Sequence, residues 1–225
     1  EEFPDLTYDV TIKVEHLLAQ REKLHLLTET GCIFVTTAVE EVDDKVLYML
    51  EKNHTRDDFE EVVHAANDLG LILSPTFIPF HPWTTILGFV DLLSVISKLD
   101  MIENVAPVQL GIRLLITEGS RIIELKDINH FLGDFDAEKL SYNWKPDDPL
   151  VDELQSEVYK VIQFGVSEGA SRRTIFEKIW ILAHNICEQP APELSPKRSG
   201  IIDVPSMSEP WYCCAEPTVE QVAGM

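Results

Sequence analysis

From Leu6 to about residue 115, stretches with the two-residue period of a strand alternate with stretches carrying the period of a helix, and that order admits few folds. Leu6 to Val14 alternates apolar and polar residues, His16 to Glu29 is amphipathic and closes at Gly31, and Cys32 to Val39 reads as a buried strand. Helical signals resume after Asp43-Asp44 and run to Lys52. Thr55-Arg56-Asp57-Asp58 is a capping box with Asp in place of Glu, and Phe59, Val62, Val63, Ala66 and Leu69 hold the helical period to Gly70. Leu71 to Ile78 is the next strand, Thr84 to Lys98 the next helix, and Val105 to Arg113 a last strand of the series. A βαβαβαβ chain builds a parallel α/β sheet, open and doubly wound or closed into a barrel, and the period alone leaves both open. In either, function gathers at the carboxyl ends of the strands, here residues 13–15, 37–40, 76–80 and 109–113.

Beyond residue 125 the pattern becomes helical. Asp148-Pro149 starts one helix, with proline at its first position and Val151, Leu154, Val158 and Ile162 on one face. A second runs from Ser171 to about Cys187 and groups Ile175, Ile179, Leu182 and Ile186. Gln189 to Pro217 holds six of the chain's 13 prolines, which marks an extended tail with little regular structure. The expected organisation is therefore an α/β part over 1–125, a helical region over 126–188 and a proline-rich tail over 189–225.

A formal charge of −21 would repel a phosphate backbone over most of the surface, so nucleic acid is not an expected partner. The longest apolar stretches, such as Ile86 to Ile96, are interrupted by Asp91 and too short to span a bilayer, and no signal peptide is recognisable. Four cysteines, Cys32, Cys187, Cys213 and Cys214, are too few and too unevenly spaced for a secreted disulfide framework, which makes the reducing cytoplasm the expected compartment. The tail carries an unusual element, Trp211-Tyr212-Cys213-Cys214-Ala215-Glu216-Pro217. Adjacent Cα atoms lie about 3.8 Å apart, below the roughly 4.4 Å minimum of an unstrained disulfide, so a bridge between Cys213 and Cys214 would be strained and easily reduced. Packing of two small apolar side chains is the plain alternative.

The run Gly31 to Asp44, with Thr36-Thr37-Ala38-Val39-Glu40 at its centre, continued by Val46-Leu47 and Lys52-Asn53-His54-Thr55, resembles the middle of a radical SAM barrel. The segment Pro75-Thr76-Phe77-Ile78-Pro79-Phe80-His81-Pro82-Trp83-Thr84 resembles the next strand and its substrate-side loop. The tail is similar to that of the CUAEP or CCAEP radical SAM proteins, a selenoprotein family in which selenocysteine replaces a cysteine in some members. The resemblance implies a partial (β/α)6 barrel, about its third to sixth strands, followed by the helical region and the Cys-Cys tail. The superfamily's cluster motif CxxxCxxC is absent from the sequence, so the first two strands and the cluster loop are expected upstream of Glu1, and this chain alone is expected to be inactive.

What the resemblance implies for chemistry is a [4Fe-4S] cluster and S-adenosylmethionine (SAM) in the full-length parent, together generating a 5′-deoxyadenosyl radical, with an electron donor for the cluster and a small-molecule or peptide substrate. Glu40 matches the position that often hydrogen-bonds the SAM ribose, Lys52 the basic residue that pairs with the methionine carboxylate, and Thr76 a polar ribose contact. Each also has a plain reading: a solvated loop acid, a cation at a helix C-terminus and an ordinary strand threonine. Lys13, Gln109 and Arg113, as long polar groups at strand ends, are substrate-side candidates or salt-bridge partners, and His81 and Trp83 join them on a proline-stiffened loop. Cys213 and Cys214 are the candidate catalytic thiols, as hydrogen donor, redox relay or extra ligand. A different class of function makes the tail a soft-metal or partner-docking element on an α/β carrier. His184 and Cys187, three apart on a helix, lack further ligands at suitable spacing, so no metal site is expected in this chain. Ser195-Pro196-Lys197-Arg198 reads as a solvated basic loop.

Overall fold

The computed structural model describes residues 5–196, 204 and 215–216; Cys213 and Cys214 lie outside them. The chain divides into two compact units, one of residues 1–77, 93–106 and 193–207 and one of residues 78–92, 107–192 and 208–225. Among the described residues no helix is long and apolar enough to cross a membrane.

The first unit holds a parallel sheet in the order β1 (Tyr8–Thr11), β2 (Cys32–Glu40), β3 (Leu73–Phe77). Parallel neighbours need crossovers. Between β1 and β2 the chain runs through α1 (Val14–Ala19), a 3₁₀ turn (Arg21–Lys23) and α2 (His25–Glu29), and between β2 and β3 through α3 (Asp44–Met49) and α4 (Arg56–Asp68). The single helix expected over 16–29 is thus two short ones, although no glycine or proline marks the break. Gly31 is required where it stands: its φ is 95°, and a Cβ there would lie 2.4 Å from the Leu6 carbonyl oxygen. The capping box of α4 forms as its spacing dictates, with Asp58 N–H donating to Thr55 Oγ1 at 3.2 Å and Thr55 N–H to Asp58 Oδ2 at 2.8 Å. Pro75 has no N–H to give, which suits β3 to the edge of this three-stranded ladder.

Side chains alternate across a strand, so the register sorts the sheet into two faces. Val35, Thr37 and Val39 of β2 lie with Leu73, Pro75 and Phe77 of β3 on a buried face, where Phe59 of α4 meets Phe77 edge-on at 6.1 Å. The other face carries Asp9 and Thr11 of β1, Phe34, Thr36 and Ala38 of β2, and Ser74 and Thr76 of β3. Apart from Phe34 and Ala38 it is polar, where a buried parallel sheet ordinarily shows aliphatic residues on both sides.

In the second unit the strand expected over Val105 to Arg113 is replaced by a 3₁₀ turn (Pro107–Leu110) and one parallel bridge, Phe80 to Arg113. Pro107 cannot donate to a ladder and fits the start of a turn instead. Within 126–188 the structure adds an antiparallel hairpin that the sequence does not announce, β4 (Leu132–Asp136) with β5 (Ser141–Trp144). α6 (Pro149–Ser167) starts at the proline as expected, with Asp148 accepting from Leu150 N–H at 2.9 Å, and α7 (Arg172–Ile186) is capped by Ser171. α5 (Ile86–Lys98) gives its first half to the second unit and its last half to the first.

The two long helices approach at Gly165 of α6, where a Cβ would sit 2.5 Å from Ile175 Cγ1 of α7. Alanine there gains about 1 kcal/mol of helix propensity but overpacks against a β-branched side chain. Gly165→Ala is expected to lower stability by a net amount on the order of 1 kcal/mol in urea unfolding followed by tryptophan fluorescence. A raised midpoint would show that α7 yields at Ile175.

Candidate functional site

In the first unit the ends of β1 and β2 meet the turn that closes α3. Glu51 adopts φ 54°, and Lys52 N–H returns to the Leu47 carbonyl at 2.9 Å, a left-handed closure that stops the helix and turns the chain. The turn carries Lys52 Nζ to 2.7 Å from Glu40 Oε1. Glu40 itself has φ 70° and sits where the β2–β3 register shifts after Ala38. A left-handed glutamate costs of order 1 kcal/mol, and a bulge re-aims the side chain it carries. Local strain is thus held at the end of the central strand.

On the Lys52 side of this pair is a shallow, solvent-open hollow lined by Lys13, Glu15, Ala38, Lys52, Asn53 and His54 among others. A hydrogen bond from Asn53 holds the Glu15 carboxyl below its ordinary range, and Lys13 Nζ lies 3.4 Å from Glu15 Oε1. His54 is buried, its Nε2 3.1 Å from the Val39 carbonyl; as donor there it ties the α3–α4 turn to β2. Burial pushes its pKa below the ordinary 6.5. Thr76 is half-buried on the polar face, with Oγ1 3.5 Å from the Thr37 carbonyl. The Thr36 and Thr37 hydroxyls are buried with no partner among the described residues. The sheet therefore brings Lys13, Glu40 and Lys52 to one end and keeps Thr76 inside a strand beside unsatisfied hydroxyls.

The other sequence candidates belong to the second unit. His81 is buried in a tight turn in which its N–H donates to Thr84 Oγ1 at 2.8 Å and that hydroxyl donates to the Pro79 carbonyl at 2.9 Å. Trp83 stacks obliquely near His81 and meets Phe131 edge-on at 6.4 Å. Gln109 is buried in the 3₁₀ turn, so it does not share a strand face with Arg113. Arg113 Nη1 lies 2.5 Å from Asp152 Oδ1, Nη2 donates to the Trp144 carbonyl at 2.6 Å, and Nε lies 3.1 Å from Glu216 Oε2. Its guanidinium stacks 3.6 Å from the Trp144 ring centroid.

His54, Asn53, Trp144, Asp152 and Glu216 emerge only from the structure. The sequence did place His54 and Asn53 beside Lys52, and Glu216 beside the cysteines, but a partner distant along the chain defines each role. Cys32 and Cys187 are free thiols whose pKa burial raises, which disfavours a thiolate role. His184 is buried with Nδ1–H donating to the Trp180 carbonyl at 2.8 Å, and no group of three metal-ligating side chains forms among the described residues.

No protein-family model matches the chain, and no curated protein matches it. Its fold is similar to part of the cobalamin-dependent S-adenosylmethionine radical enzyme OxsB. The TM-score is 0.64 with aqua-cobalamin bound and 0.63 with aqua-cobalamin and S-adenosylmethionine bound, at 11% identity in both. The match covers 82% of this chain and 36% of that one, so the chain spans about a third of that enzyme's length.

His54 gives the site a measurable pH signature. With its folded pKa depressed, the unfolded state binds the extra proton first, so the stability tied to neutral His54 is full above pH 6.5 and declines as pH falls below it towards the folded value. His54→Gln, which retains a donor for Val39, is expected to flatten that portion of the melting temperature profile against pH. A profile parallel to that of the unaltered protein would place the His54 proton elsewhere.

Proposed function

We propose that this chain is the C-terminal part of a radical SAM enzyme in which Glu40 and Lys52 hold SAM and the Cys213-Cys214 pair serves substrate chemistry. The observation that carries the reading is Glu40: a carboxylate kept in a left-handed conformation at the end of the central parallel strand, where a glycine would be cheaper, and paired to a lysine at the rim of a hollow. The fold it shares with part of OxsB supports the assignment.

The residues present fit SAM. Glu40 offers an acceptor to ribose hydroxyls and Lys52 a cation to the methionine carboxylate, and a zwitterionic ligand would separate the Glu40–Lys52 pair while giving each a new partner. Thr76 and the unpartnered Thr36 hydroxyl lie on the same polar face of the sheet and add hydrogen-bonding capacity there. They do not fit an iron–sulfur cluster, since the sequence has no CxxxCxxC and the described residues gather no ligand set; the cluster belongs to an upstream portion of the parent. When bound, SAM and the cluster supply a carbon-centred radical that removes a hydrogen atom from substrate. Lys13, His81, Trp83 and Gln109 remain substrate-side candidates.

A Cys214 S–H bond can break to give its hydrogen atom to a substrate carbon radical, forming a C–H bond. The thiyl radical left on Cys214 would be returned to the thiol by one electron from a one-electron carrier protein of the iron–sulfur or flavin class and one proton from solvent. In the full-length protein, Cys214→Ser is expected to leave SAM cleavage measurable and to cut product formation at least 100-fold; turnover within twofold of the unaltered enzyme would remove the tail from the chemistry.

Glu40→Gly separates chemistry from architecture. Glycine relieves the left-handed backbone, so the unfolding midpoint is expected to hold or rise, while SAM affinity in the reconstituted enzyme falls at least tenfold. Unchanged affinity would refute the binding role.

A further inference from the structure

Gly111 to Leu114 has the shape of a minimal strand, and each of its carbonyls is accounted for. Gly111 O accepts from Gln155 Nε2 at 3.0 Å, Ile112 O from Phe80 N–H at 3.2 Å, and Leu114 O from the Trp144 indole N–H at 2.8 Å. The remaining one, Arg113 O, accepts from Glu216 N–H at 2.9 Å, and Ala215 forms an antiparallel bridge with Leu114. The segment after the two cysteines therefore closes an edge that would otherwise show an open acceptor.

The Arg113 side chain repeats the recognition. Asp152 of α6 and the Trp144 carbonyl of β5 take Nη1 and Nη2, and the indole face covers the guanidinium, which leaves Nε to meet Glu216 Oε2 at 3.1 Å. Two elements of the same unit, α6 and β5, thus hold Arg113 so that its carbonyl and its Nε read one glutamate through backbone and carboxylate together. The pair is sheltered, with Arg113 19% and Glu216 27% exposed at the side chain, so an unpaired ion there would be costly.

We propose that Arg113 is the receptor for Glu216, docking Ala215 and Glu216 in fixed register, and that both act as positioning residues for the dithiol that precedes them in the sequence. Cys214 is bonded directly to Ala215, about 3.8 Å between Cα atoms, so the register that fixes Ala215 limits the reach of the thiol. Burial pushes the Glu216 carboxyl up, while Arg113 and Lys139 pull it down and Asp152 opposes them, so Arg113 is the principal group favouring its ionised form. The positioning role rests on the reading that the dithiol serves substrate chemistry; the docking does not.

Hydrogen–deuterium exchange on the full-length protein tests the docking. The Glu216 amide is expected to exchange slowly and to speed up at least tenfold in Glu216→Ala, with α6 amides unchanged, and by less in Glu216→Gln. Arg113→Lys, which keeps the charge but loses the fork, is expected to give the same loss, and the double variant no more than either single change. Fast exchange in the unaltered protein, or unchanged exchange in Glu216→Ala, overturns the docking. Product formation in the same variants tests positioning: it is expected to fall at least tenfold in Glu216→Ala. Intact turnover there, with protection lost and Cys214→Ser inactive, overturns the positioning role alone. Intact turnover in Cys214→Ser with protection retained removes the dithiol chemistry and leaves the docking standing.

Discussion

The structure of the first unit depends on the backbone hydrogen bonding of β2. A nine-residue strand buried along most of its length must pair on both sides, and here both neighbours are parallel, so each is reached by a helical crossover. The rest of that unit follows from this need. α1 to α4 are short, and Leu17, Leu47, Phe59, Val62 and Val63 supply the apolar surface that makes them worth forming. Because all three strands run the same way, their carboxyl ends fall together, and the residues that terminate them become neighbours without being neighbours in sequence. Lys13 and Glu40 come to the same end for that reason, and the turn that closes α3 brings Lys52 to Glu40.

The two faces of the sheet differ in kind. Aliphatic and aromatic residues fill the helix-facing side, whereas Asp9, Thr11, Thr36, Ser74 and Thr76 line the other. Hydrophobic burial favours that second face chiefly through Phe34, and the unpartnered Thr36 hydroxyl there incurs a desolvation cost. Such a face is tolerated where it meets something polar. The left-handed Glu40 at the end of β2 belongs to the same pattern of local cost.

Much of this was legible in the sequence where the signal is local. The Thr55–Asp58 box, Gly31, Asp148-Pro149 and the run Cys32 to Val39 each act within a few residues, and each formed. The β4–β5 hairpin was not legible because its first strand is mostly exposed and lacks alternation; the cross-strand pair Phe135–Tyr142, with rings 5.2 Å apart, is visible only once the strands meet. The same limit governed the site. Glu40 and Lys52 stand out at a strand end and a helix end, but nothing local says that they pair. His54 takes its role from Val39 fifteen residues away, and Arg113 takes its role from Asp152, Trp144 and Glu216, three segments that sequence reading treated separately.

The charge balance narrows what can occupy such a site. With a formal charge of −21, cations placed in sheltered positions are never short of acidic partners, and Lys52 and Arg113 each have one at hydrogen-bond distance. An anionic ligand must displace such a partner while approaching through a repulsive field, which penalises polyanions at every range within the Debye length. A zwitterion avoids both costs. On the proposed reading its cationic end would be drawn by the surrounding acids and its carboxylate would take the place of Glu40 at Lys52, giving two pairs where there is now one. The acidity of the chain therefore weighs against polyanionic ligands at the Glu40–Lys52 pair, the same place where the backbone of Glu40 is left-handed.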